Sequence, residues 1–124
     1  MNVVDSSGWI EYLQDTDRAD LFAAPIEQRN TLFVPVIALF EVNKVLSRKV
    51  PSEAVAQCLD VMRLGRVLEV TDRRAVAAAQ VAAAHHLTMA DAMMYSLARE
   101  IGATFWTQDV DYQGLPGVNY FAKP

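Results

Sequence analysis

At 124 residues, 52% hydrophobic and 21% charged, the chain is expected to form one domain over residues 1–124 with a proper hydrophobic core. It is too apolar for disorder and too broken by charge for a membrane protein. The net charge of -4 and pI near 5.0 argue against an indiscriminate polyanion binder. Cys58 is the only cysteine, which excludes an internal disulfide, suits a reducing compartment and makes a cytoplasmic location the expectation.

In chain order, Asn2 to Val4 is a short β-branched strand, and Ser6 or Ser7 is placed to cap a helix carrying Trp9, Ile10 and Leu13. The opening MNVVDSSGWI has no basic n-region and no cleavage pattern, so it does not read as a signal peptide. A helix over Arg18 to Gln28 should bend or end near Pro25. Thr31 to Val34 reads as a strand and Val36 to Leu46 as a helix. The longest apolar run, Leu32 to Phe40, is broken by Pro35 and falls well short of the ~20 residues of a spanning helix. Pro51 and Ser52 open a helix with Val55, Leu59 and Met62 at core spacing and Gly65 past its end. Val67 to Val70 follows as a strand, Asp72 caps an alanine-rich helix to about His85, and Thr88 starts a helix over Met89 to Glu100. Ala103 to Trp106 and Val118 to Phe121 complete a pattern of alternating strands and helices. That alternation predicts an α/β fold in three layers, with a central, mainly parallel sheet of four to five strands. Ligands of such sheets gather beyond the carboxyl ends of the strands, where Asp5 and Asp109 stand.

Each carboxylate has an ordinary use as well as a chemical one. Asp5 can accept from the first N–H groups of the helix that follows it. Glu41 is the only charge between Val36 and Val42, a stretch apolar around the whole helix, so it needs a partner, either Lys44 or a bound cation. Asp91 stands in capping-box spacing from Thr88. One Asp would serve the turn marked by Gly114 and Pro116, whereas Asp109 and Asp111, with Val110 between them, can hold an ion or its waters. Oxygen-only ligands suit Mg²⁺ or Mn²⁺ rather than zinc. The adjacent His85 and His86 diverge on a helix and serve its C-terminus, and Cys58 reads as buried. Lys44 and Arg48, four apart after Glu41, are spaced to present a track for phosphates, with Lys49 following them and Arg63, Arg66, Arg73 and Arg74 surrounding the third strand. Trp9, Tyr12, Phe22 and Phe40 are either core or contact area.

In "VVDSSGWIEYL", "VPVIALFEVNKVL", "LTMADAMMYSLAREIGATFWTQD" and "DVDYQGLPGV", over nearly the whole length and in this order, the chain resembles the PIN domain, and within it the VapC-type toxins of bacterial toxin–antitoxin pairs. The resemblance implies a Mg²⁺- or Mn²⁺-dependent endoribonuclease with metal-binding and catalytic acids at Asp5, Glu41, Asp91 and Asp109. It further implies Asp111 as an accessory acid and Thr107, in a T-x-D-x-D-aromatic arrangement, as a support for the metal shell. An RNA substrate such as tRNA or another structured RNA, a cognate VapB-like antitoxin over the acidic groove and a homodimer are implied as well. Ala38 departs from the family, whose members often carry a hydroxyl residue there. Three other readings compete. A catalytically silent PIN-like module that only binds RNA or protein should have lost an acid, and none is missing. A receiver-type phospho-acceptor needs an Asp ending a middle strand, which "TLFVP" and "VLEVT" lack. A DxD-type phosphatase would carry "DVD" near the other end of its sequence.

Overall fold

The computed structural model describes residues 1–124. Its strands are β1 (Asn2–Val4), β2 (Leu32–Pro35), β3 (Arg66–Leu68), β4 (Thr104–Thr107) and β5 (Val118–Tyr120). Its helices are α1 (Ser6–Leu13), α2 (Ala19–Glu27), α3 (Val36–Leu46), α4 (Ser52–Met62), α5 (Asp72–His85) and α6 (Met89–Glu100). The strands form one five-stranded sheet in the order β3-β2-β1-β4-β5, and every neighbouring pair is parallel. This is the expected three-layer α/β architecture with a wholly parallel sheet. The chain walks outward from β1 to β3, then reverses through α5 and α6 to reach β4 on the other side of β1. Right-handed crossovers put the connections before and after that reversal on opposite faces.

A parallel sheet covered on both faces needs apolar side chains pointing both ways. Val3, Val4, Val34 and Phe105 are accordingly buried, with Trp9, Phe22, Val42, Met62 and Met94 packed over them in one continuous core. No helix is long and apolar enough to cross a membrane. Cys58 is free and half-buried, and its burial pushes the thiol pKa up, away from reactivity.

The helix starts differ from the sequence expectation in instructive ways. Of the caps the sequence offers for α1, Asp5 serves rather than Ser6 or Ser7, accepting from Gly8 N; the strand ends so close to the helix that its first polar residue falls at the cap. Likewise Thr71 caps α5 through a bond from Arg74 N, and Asp72 is already the first helical residue. Helix α3 starts after Pro35 with no side-chain cap at all. Pro25 lies inside α2, which continues to Glu27. Close packing around Gly8 also explains a local sequence choice. A Cβ on Gly8 would lie 2.6 Å from Phe22 Cδ1 and 2.8 Å from Val4 Cγ1, both fully buried, so only glycine lets α1 lie this close to α2 and the sheet. Gly8→Ala should therefore cost about 1–3 kcal/mol by overpacking, read as a lower urea midpoint at unchanged slope.

Candidate metal centre

The register of β1 against β4 pairs Val4 with Trp106, and the Asp5 N–H continues the ladder by donating to the Trp106 carbonyl at 3.1 Å. Asp5 and Thr107 thus leave the sheet side by side, at the point where strand order reverses, the usual crevice of open α/β sheets. Asp5 is 2% exposed. Its carboxylate accepts from Ser7 Oγ at 2.8 Å, Gly8 N at 3.0 Å and Thr107 Oγ1 at 2.6 Å. Those donors favour the ionised form, yet burial outweighs them and pushes the Asp5 pKa up to about 6, with a smaller push from Asp109.

Thr107 is buried and uses its hydroxyl twice, donating to Asp5 and accepting from Asp109 N at 2.9 Å. Asp109 in turn accepts from Asp111 N at 2.9 Å and so caps a 3₁₀ turn, Val110–Tyr112. This turn swings Asp111 back beside Asp109 and brings both to Asp91, in the first turn of α6. Carboxylate oxygens of Asp91, Asp109 and Asp111 all lie within 4.8 Å of one another. The Asp91 N–H donates to its cap, Thr88 Oγ1, at 3.4 Å, so the capping role and membership of the triad coexist. Burial raises the Asp91 pKa; the Tyr112 and Thr88 hydroxyls offset it and the charges of Asp109 and Asp111 add to it. For Asp5 and Asp91 alike, desolvation outweighs mutual repulsion. The same donor chemistry that suits a hard divalent cation is therefore present: three clustered carboxylates with no nitrogen or sulfur ligand among them.

Glu41 stands outside the triad. It is half-buried and accepts from Ser6 Oγ at 2.9 Å, while neither Lys44 nor any other base forms a salt bridge with it. The expectation that α3 lacks a solvated face is corrected by Phe40, 63% exposed. Lys44 is exposed on α3, but Arg48 lies beyond the helix end at Leu46, so the two do not share a helical face. Arg63 is occupied by Asp60, and Arg74 by Glu100. Trp9 and Phe22 are core, Tyr12 is half-buried with its hydroxyl donating to Glu27, and Phe40 alone of the four is exposed.

Sequence reasoning missed Ser6 and Ser7 as donors to Glu41 and Asp5; the signal was "DSS" directly at a strand end. It also missed Gln108, buried between Arg18 Nε and Glu11, and Tyr112, whose hydroxyl reaches Asp91.

Fold and acids together define a small, wholly parallel α/β protein with a carboxylate cluster at its switch point. The PIN domain family model matches residues 3–117, and the chain belongs to that family. Among solved structures, the chain is similar to a toxin–antitoxin complex from Klebsiella pneumoniae (TM-score 0.78, 14% identity, 96% of each chain covered). It is also similar to a DNA-bound VapBC from Salmonella typhimurium (0.77, 15%, 98% of each). A third is a sarcin-ricin-loop-cleaving VapC toxin of Mycobacterium tuberculosis (0.69, 20% identity, 84% of this chain and 85% of that one). At these identities the likeness is one of fold. A comparison with curated proteins gives no sequence match.

Asp5 has a stability consequence. Its carboxyl titrates near 3.8 in an unfolded chain and near 6 in the folded one, so between these values the folded state holds the proton more tightly. As pH rises through that window, the metal-free protein loses stability on the order of 3 kcal/mol from this group. Asp5→Asn should flatten the fall, seen as a smaller difference between melting temperatures at pH 4.5 and pH 7.5.

Proposed function

We propose that the protein is a metal-dependent endoribonuclease toxin of the VapC type, restrained by a cognate antitoxin. The observation that carries this reading is the triad of Asp91, Asp109 and Asp111, with oxygens within 4.8 Å of one another, at the same strand ends as buried Asp5. One or two Mg²⁺ or Mn²⁺ ions, when bound, supply the charge that acidifies a water and relieves the phosphoryl oxygens of RNA. Asp91, Asp109 and Asp111 hold the cation. Asp5, its carboxylate fixed by Ser7, Gly8 and Thr107, faces the same cleft and orients the attacking water. Glu41, held by Ser6, completes the acidic wall and acts through water. Thr107 keeps Asp5 and Asp109 in fixed relation.

Lys44 and Arg48, exposed and free of acidic partners, receive RNA phosphates as two separate points. The antitoxin reaches the acidic cleft with a basic side chain, in competition with the cation, and exposed Phe40 beside Glu41 gives it apolar purchase. The apolar groove of Ala75, Ala78, Ala82, Met89 and Met93 between α5 and α6 leaves a surface for a second copy. The working compartment is the cytoplasm, where structured RNAs such as tRNA are at hand.

The test is cleavage of labelled total RNA with Mg²⁺ or Mn²⁺ and with EDTA, wild type beside Asp5→Asn and Asp91→Asn. Discrete products that vanish with EDTA, and fall by about 100-fold in either variant, are expected. RNA binding without cleavage by the folded, metal-loaded wild type would replace this reading with a silent binding module. Lys44→Ala with Arg48→Ala should weaken RNA binding and lower its salt slope by roughly one to two; an unchanged slope removes both residues from the interface.

A further inference from the structure

Tyr112 ends the 3₁₀ turn that carries Asp111 and is fully buried. Its ring packs on Phe105 at 4.7 Å between centroids and on Tyr95 at 6.1 Å. Phenylalanine would fill that place equally well, and a buried hydroxyl costs stability unless it is bonded. The hydroxyl is bonded, and only towards one residue: it donates to the Asp91 main-chain carbonyl at 3.1 Å.

The triad is built from two pieces of chain. Asp109 and Asp111 leave β4, whereas Asp91 rides on α6, and nothing in the sequence fixes the distance between those pieces. Tyr112 belongs to the first piece and its hydroxyl grips the second at the ligand-bearing residue itself. We propose that the Tyr112 hydroxyl is a positioning group that sets the span between Asp91 and the Asp109–Asp111 pair, and through it the affinity of the site for a divalent cation. This rests on the metal-dependent reading above. Partners that orient metal ligands in this way are typically worth 10–100-fold in metal affinity.

Tyr95 supplies a matched control. It sits in the same aromatic cluster, and its hydroxyl donates at 2.6 Å to the Pro116 carbonyl, away from the acids. Mn²⁺ would be titrated into metal-free wild type, Tyr112→Phe and Tyr95→Phe by electron paramagnetic resonance, with melting curves of each. RNA cleavage would be followed against Mn²⁺ concentration. The expected result is about 10-fold weaker Mn²⁺ binding in Tyr112→Phe alone. The Mn²⁺ needed for half-maximal cleavage should rise by the same factor, while kcat at saturating Mn²⁺ is kept. Metal-free melting of the two variants should agree. Equal Mn²⁺ affinity in wild type and Tyr112→Phe overturns the positioning role and leaves the metal-dependent reading intact. Equal weakening in Tyr95→Phe also overturns it, assigning the effect to packing. A folded wild type that binds no Mn²⁺ overturns both.

Discussion

The parallel pairing of β1 with β4 is the constraint on which the rest depends. It sets Val4 opposite Trp106, brings Asp5 and Thr107 out of the sheet together and lets one hydroxyl serve both Asp5 and Asp109. Asp109 and Asp111 are then hung from that junction. Asp109 caps the turn that returns Asp111, the turn delivers Tyr112, and Tyr112 reaches Asp91 on α6. A slip of one residue in this register would turn Thr107 to the opposite face and leave Asp5 without its shortest donor.

Burial, more than repulsion between acids, governs the electrostatics. Asp5 would be expected to ionise easily with Ser7, Gly8 and Thr107 donating to it, yet desolvation wins. Asp5 is therefore a carboxylate held in place by neutral donors and poorly solvated, and Asp91 is half-buried beside the exposed Asp111. A bound cation would restore the solvation that folding removed. The absence of any salt bridge to Asp5, Glu41, Asp91, Asp109 or Asp111 leaves that role open to a cation from outside the chain.

The order of strands and helices was legible because the apolar runs are short, β-rich and separated by helices of clear period. The strand bounds moved by a residue or two, as with β4, which starts at Thr104 and takes in Thr107. Caps were less legible. At Asp5 and Thr71, several polar residues in a row could each serve, and tertiary position decided which did. Asp5, Glu41, Asp109 and Asp111 could be singled out as candidates from apolar settings and strand ends, whereas Asp91 read as a helix cap and joined them through the family resemblance. Their division into a triad of Asp91, Asp109 and Asp111, with Asp5 buried alongside and Glu41 on Ser6, could not. That division depends on where a 3₁₀ turn falls back across α6, a long-range contact with no local pattern. Tyr112 was hidden for the same reason: in sequence it is one aromatic in a turn.

The bond from Thr107 to Asp5 closes a loop of 102 residues. Strand β1, first to be synthesised, is central in the sheet and has β4 as one of its two neighbours. Contacts this distant in sequence form late and slowly. During synthesis, β1 and β2 can pair while one edge of β1 still waits for its partner. The acidic cleft does not exist in a nascent chain that stops short of Tyr112, because its parts have yet to arrive. Whatever the cleft does begins only when β4 and the turn after it have docked on β1, which makes one long-range pairing the switch for its chemistry.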